Sequence, residues 1–135
     1  MEINYKDVVN WKLSTDRLRC NKSFHGHERR DHVLVQSKGL NFFARLLRLF
    51  KFTVGEKSHA LAYVEVYGTP SGQMRRKDKD LGLYRLQFKK QAIISLDSLV
   101  RGALLVPDPE NLGHYFVVDT IDADMFLRMK GLELQ

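Results

Sequence analysis

The sequence holds one cysteine, three prolines and one tryptophan in 135 residues. Cys20 has no second cysteine to pair with, so no internal disulfide framework supports the fold, and the chain suits a reducing compartment, nucleus or cytoplasm. Long hydrophobic runs are also missing. The most apolar stretch, 42–50, is interrupted by Arg45 and Arg48, well short of the roughly 20 residues a membrane span needs. The opening Met1-Glu-Ile-Asn-Tyr-Lys-Asp7 lacks the apolar centre of a secretory signal, so no membrane partner is expected. Equally absent are a Gly-x-Ser-x-Gly elbow, a phosphate-binding Walker loop and a dinucleotide fingerprint. These absences point away from hydrolase, nucleotide and redox-cofactor chemistry, and no cofactor is expected.

What is present is enough apolar material for one domain: 44% of residues are hydrophobic and 10% aromatic. The net charge of +6 hides a division along the chain. Residues 1–90 hold 19 Lys/Arg and 9 Asp/Glu, a net +10, whereas residues 91–135 hold 3 and 7, a net −4. A positive field of this kind attracts nucleic acid and other polyanions.

Residues 1–30 are polar and basic, with Cys20-Asn-Lys-Ser-Phe-His-Gly-His-Glu-Arg-Arg30 reading as loop; they are expected to form an arm preceding a domain over 31–135. From Asp31 onward the pattern turns to strands, at 32–36, 42–54, 59–67 and 83–88, divided by turn residues at Ser37-Lys-Gly39, Val54-Gly-Glu-Lys57 and Gly68-Thr-Pro-Ser-Gly72. One helical turn is expected over 95–99, strands over 101–106 and 115–118, and a closing helix over 122–130. The stretch 42–52 also fits a basic amphipathic helix. Alternation of Phe42, Ala44, Leu46, Phe50 and Phe52 against Arg45 and Lys51, with a hairpin turn following, favours a strand. The expected fold is mainly β: a small, partly open barrel with a short C-terminal helix.

Two resemblances follow from particular runs. Asp31-His-Val-Leu-Val35, Pro70-Ser-Gly-Gln-Met-Arg-Arg-Lys-Asp-Lys-Asp-Leu-Gly-Leu-Tyr84, Leu99-Val-Arg-Gly-Ala-Leu-Leu-Val-Pro-Asp-Pro109 and the segment 114–130 resemble the C-terminal region of transposon-derived proteins of mushroom-forming fungi. More broadly, the order Asp31-His-Val-Leu-Val35, Phe42-Phe-Ala-Arg-Leu46, Leu61-Ala-Tyr-Val-Glu-Val-Tyr-Gly-Thr-Pro70, Leu83-Tyr-Arg-Leu86, then 99–106 and 115–118, resembles bromo-adjacent homology domains over about a hundred residues. That resemblance implies chromatin or protein recognition on a barrel-like fold. Some members of the family hold methyl-lysine in an aromatic cage, but here the corner Val66-Tyr-Gly-Thr-Pro70 keeps only Tyr67 of the aromatic set, so no such ligand is carried over.

The residues themselves supply the candidate sites. Met74-Arg-Arg-Lys-Asp-Lys79 offers Arg75, Arg76, Lys77 and Lys79 as phosphate contacts, with Arg29, Arg30, Lys89 and Lys90 extending the patch. Asp78 and Asp80 partly cancel it, as in an ordinary solvated loop. Phe42, Tyr63, Tyr67 and Tyr84, with Tyr115, are candidates for an aromatic recognition surface, against the plainer reading of strand aromatics as packing.

Metal chemistry finds little footing. Cys20, His25, His27 and His32 match no standard zinc spacing. Asp119, Asp122 and Asp124 superficially resemble a nuclease carboxylate cluster, but Thr120 as a cap and acids in a first helical turn explain them, and residues two apart on a helix diverge. No catalytic residue and no metal site is assigned. The expectation is a non-catalytic module recognising DNA or chromatin through a basic face. The alternative is a protein-interaction module docking a transposase-like partner, and a metal-dependent nuclease is a remote third class.

Overall fold

The computed structural model describes residues 1–6, 11–17, 20–24, 27–70 and 83–133. In chain order the strands are β1 (Glu2–Lys6), β2 (Leu13–Arg17), β3 (Cys20–Phe24), β4 (His27–Arg30), β5 (His32–Ser37), β6 (Leu40–Val54), β7 (Lys57–Gly68), β8 (Tyr84–Ser95), β9 (Leu99–Ala103), β10 (Leu105–Pro107) and β11 (His114–Val117). One helix, α1 (Ala123–Glu133), ends the described chain, and single 3-10 turns lie at Leu96–Ser98 and Asp119–Ile121. The fold is mainly β. None of the described helices is long and apolar enough to cross a membrane.

Seven strands form one antiparallel sheet in the order β10-β11-β8-β7-β6-β5-β9, hydrogen-bonded along an open ladder with two edges. Its edge strands β9 and β10 are consecutive in the chain, separated only by Leu104. Adjacent Cα atoms are about 3.8 Å apart, so the two edges must approach at this residue. A flat sheet of seven strands would be about 29 Å across, at about 4.8 Å per strand gap. The sheet therefore curls. Its curvature is visible in the core: Leu34 of β5, Phe43 of β6, Tyr67 of β7, Tyr84 and Leu86 of β8, Leu105 of β10 and Val117 of β11 join one cluster with Met125 and Met129 of α1, and Ala103 of β9 packs against it.

The opposite face carries a second cluster: Val33 and Val35 of β5, Ala44 and Leu46 of β6, Ala62 and Val64 of β7, and Leu99 of β9. Ile3 of β1 packs on it. Strict alternation puts Val33 and Val35 on one side of β5 and Leu34 on the other, as a strand covered on both faces requires. Three irregularities interrupt the ladder, one between Leu46 and Arg48 on β6, one between Val66 and Tyr67 of β7, where β8 carries Lys89 as the extra residue, and one between Leu34 and Val35 of β5, where β9 carries Val100 as the extra residue.

The stretch 42–52 is strand throughout, and the β6–β7 hairpin closes on Gly55 and Glu56, with Gly55 at φ 60°, a left-handed conformation that suits glycine at the first position of a two-residue turn. Three sequence expectations are corrected. The segment expected as loop over 20–30 pairs as β3 and β4, its polar residues having concealed strand pairing. The single strand expected over 101–106 breaks at Leu104, because β9 pairs with β5 and β10 with β11. The helix begins at Ala123, Thr120 lying in the 3-10 turn before it, and Asp122 caps it, its Oδ1 accepting from the Met125 amide at 2.8 Å.

Asp122 also overturns the expected divergence of the two acids. It stands in extended backbone just outside the helix (φ −157°, ψ 167°), so helical spacing does not apply to it. Both carboxylates meet Arg101 of β9. The Arg101 guanidinium donates to Asp122 Oδ1 and Oδ2 at 3.0 and 2.8 Å and to Asp124 Oδ2 at 2.8 Å, and Arg128 Nε donates to the same Asp124 oxygen at 2.7 Å. The Tyr5 ring of β1 lies under the Arg101 guanidinium, 4.7 Å from centroid to Cζ. Burial works against the Arg101 charge, but its bonds to Asp122 and Asp124 outweigh that and hold its pKa above the ordinary arginine value. The same guanidinium bonds pull Asp122 below the usual carboxylate range.

This clasp joins an edge strand, the helix start and the N-terminal hairpin. With Asp124 only 1% exposed, removing the guanidinium leaves a buried carboxylate with Arg128 as its remaining partner. Arg101→Met is expected to lower unfolding free energy by about 3 kcal/mol, measured by urea titration. The double variant R101M/D124N is expected to recover part of that loss; equal stability of wild type and R101M would refute the clasp.

Candidate functional site

The basic candidates divide three ways. Lys89 and Lys90 are exposed on β8, at the irregularity where Val66 faces Lys90 and Tyr67 faces Phe88. Gly68 seats the Lys89 stem, since a Cβ added there would lie 3.4 Å from Lys89 Cγ and Cε. Arg29 and Arg30 lie on β4, their backbones opposite Asn21 and Cys20. Arg75, Arg76, Lys77 and Lys79 lie outside the described residues.

Cations not singled out as candidate contacts lie on the β6–β7 hairpin. Arg48, Lys51 and Lys57 are exposed on β6 and β7. Their signal was available in the alternation of 42–54, where charged residues punctuate an aromatic strand. Acidic groups are placed differently. Asp108 accepts from Arg85, from Asn111 Nδ2 at 2.9 Å and from the Glu110 amide at 2.9 Å. Those bonds, that of Asn111 first, hold its carboxyl well below the usual range. Together with Asp122 and Asp124 it neutralises arginines of the same body, and Glu65 lies 3.9 Å from Arg45.

Of the five aromatic candidates, three meet at one cleft and Tyr115 meets one of these, Tyr67, edge-on. Phe42, Tyr67 and Tyr84 border one cleft with Asn41, Phe43, Arg85, Leu86 and Met129. It offers about 40 Å³, room for a few water molecules. Tyr67 and Tyr84 are 2% and 3% exposed, so they belong to the core rather than to a recognition surface. The reason is register: both point to the face that α1 covers. Tyr63 stands apart, its hydroxyl donating to Gln91 Oε1 on the neighbouring strand.

An unforeseen aromatic group surrounds Tyr67 on its other side. Its ring meets Tyr115 at 4.9 Å, Phe88 at 6.1 Å and His32 at 6.2 Å, all edge-on, and His32 lies 5.6 Å from Tyr115. The Tyr67 hydroxyl donates to Glu65 Oε2 at 2.8 Å. Burial, then that bond, pushes the phenol far above its usual range. Rings in direct edge contact fill one another's space, so this group is a packed end of the core. His32 was grouped in the sequence with possible metal ligands; here its Nε2 is buried without a hydrogen-bond partner. Among the described residues no three His, Cys, Asp or Glu are arranged to hold a metal ion.

Comparison with protein-family models, with curated proteins and with solved structures found no match for this chain. The functional reading therefore rests on its own residues.

His32 gives the body a pH dependence with a definite sign. Burial first, and the Arg45 charge second, lower its pKa from 6.5 to about 4, so the folded chain binds fewer protons than the unfolded one between those values. Stability from this residue is complete above pH 6.5 and is lost as pH falls toward 4. The full shift corresponds to about 3 kcal/mol. Urea midpoints measured from pH 7 to 4.5 are expected to fall for wild type and to fall much less for His32→Phe, which keeps the ring packing. Parallel curves would show that His32 does not carry the effect.

Proposed function

We propose that the chain is a non-catalytic recognition module: a small, partly open barrel of the bromo-adjacent homology type, from a transposon-derived protein, that contacts DNA or chromatin through cations on its basic strands. The observation that carries this reading is the separation of neutralised from solvent-facing charge. Arg85, Arg101 and Arg128 are held by Asp108, Asp122 and Asp124 inside the body. Arg48, Lys51, Lys57 and Lys90 are exposed on β6, β7 and β8, where the acidic residues are Glu56 and Glu65. The acidic C-terminal third therefore contributes little compensation to that surface, and a polyanion meets cations whose counterions it can release. A nuclear site of action accords with such a partner.

A second reading has its own observation. Phe88 and Ile93 are 42% and 61% exposed on β8, the strand that bears Lys89 and Lys90, and an exposed apolar strip suits a protein partner such as a transposase-like chain.

Salt separates the two. For about four phosphate contacts, affinity for a 20-base-pair duplex is expected to fall on the order of 100-fold between 50 and 200 mM salt, followed by fluorescence anisotropy. Lys89→Glu with Lys90→Glu is expected to weaken binding at either salt concentration. Absence of duplex and nucleosome binding at 50 mM salt would remove the polyanion reading.

A further inference from the structure

The long β6–β7 hairpin extends past its neighbours on both sides. On one side β5 pairs with β6 only as far as Arg45, and on the other β8 pairs with β7 only as far as Leu61. Beyond these points the hairpin is a two-stranded ribbon, pairing Lys51 with Ala60, Phe52 with His59, Thr53 with Ser58 and Val54 with Lys57. Every residue from 51 to 59 is exposed. Four residues per strand carry the tip about 13 Å outward, at about 3.3 Å per residue.

Nothing in the two cores requires this projection, since no residue of 50–60 belongs to either buried cluster. Its chemistry is that of a ligand-seeking element. Lys51 and Lys57 carry two positive charges on the projecting part of the hairpin, with Arg48 at its root opposite Tyr63, against the single acid Glu56 at the turn. Among the described residues none of these cations takes part in an ion pair. Alternation places Lys51, Thr53 and Ser58 on one side of the ribbon, a polar side that offers hydrogen-bond donors, and Phe52, Val54, Lys57 and His59 on the other. The major groove of duplex DNA, about 12 Å wide and 8.5 Å deep, admits a two-stranded ribbon.

We infer that the tip of this hairpin, residues 51–59, inserts into the major groove of duplex DNA, with Arg48, Lys51 and Lys57 on the flanking phosphates. This inference rests on the polyanion reading and names the element and the groove. Thr53 and Ser58, paired on the polar side of the ribbon, meet base edges, because their side chains donate hydrogen bonds. The stiffness of the ribbon comes from its root, where β6 and β7 become the central strands of the sheet.

The full chain is titrated by fluorescence anisotropy against a plain 20-base-pair duplex and against the same duplex carrying glucosylated hydroxymethylcytosine, which fills the major groove. Lys51→Gln with Lys57→Gln is compared with Lys89→Gln with Lys90→Gln. Support is a loss of 10-fold or more for the tip variant, a log-salt slope reduced by about two, and a comparable loss for wild type on the filled-groove duplex. If wild type binds and the tip variant binds equally well, the inference falls and the polyanion reading stands. Tip dependence with no effect of the filled groove overturns insertion. If wild type binds no duplex, the inference falls, and if it binds no nucleosome either, the polyanion reading falls with it. Sedimentation of the protein alone that shows a dimer dissolved by the tip variant would assign the tip to a second copy and overturn the inference.

Discussion

The architecture depends on the one-residue link at Leu104. Because β9 and β10 are opposite edges of one sheet yet neighbours in sequence, the sheet cannot lie flat, and side chains from all seven strands reach one core. The bend is held by hydrogen bonding as well as by the chain, since the Val118 amide donates to the Leu104 carbonyl at 2.9 Å. The segment after β11 then turns back across the curled sheet, bringing Met125 and Met129 onto its concave side and Asp122 and Asp124 onto Arg101. Placing a guanidinium at 4% exposure is costly unless each nearby charge is compensated, and two carboxylates meet that requirement. The clasp follows from the curl.

The same arrangement decides where charge is left over. A chain with a net +10 over residues 1–90 and −4 over 91–135 could fold with its halves neutralising each other. It does so only in part. Asp108, Asp122 and Asp124 are matched to arginines on β8, β9 and α1, within or close to their own segment, and the acidic residues of the β6–β7 hairpin are Glu56 and Glu65. Charge segregation along the sequence is the physical basis for the proposed contact surface.

Strand identity in the body was legible from short apolar runs bounded by turn residues, continuous where both faces are covered, as at Val33, Leu34 and Val35, and alternating at Ala62 and Val64. The helix and the turn at Gly55 were legible for the same local reasons. The pairings that bring Arg101 to Asp122 and Asp124 were not, since they join residues more than 20 positions apart across a fold whose closure depends on which edge each half-strand chooses. A single arginine inside the apolar run Leu99–Ala103 was nonetheless a signal: a buried strand tolerates such a residue only when acids elsewhere reach it. Tyr67 misled for a related reason. Its position in a motif suggested exposure, whereas ordinary alternation along β7 turns its ring to the face under the helix, where it meets Tyr115 edge-on. For the hairpin, the strand was legible but its isolation was not, because exposure at 51–59 reflects where β5 and β8 stop pairing.

That isolation is what separates the hairpin tip from the exposed aromatics of the body. Phe88 is partly exposed but packs on Tyr67, so its position follows from core packing and needs no ligand to explain it. Phe52 and Val54, at 55% and 57% exposure, have no such explanation. A projecting two-stranded ribbon is marginal by itself and presents backbone edges that invite unwanted pairing. Lysine at 51 and 57 blunts those edges, which accounts for the charges in stability terms alone. It does not account for the length, because a tighter hairpin ending near Phe50 and Leu61 would leave both cores intact and remove the hazard altogether. The extra turn-ward residues add exposed surface without burying any, so the argument for a partner at the tip is strongest where the fold has least use for the chain.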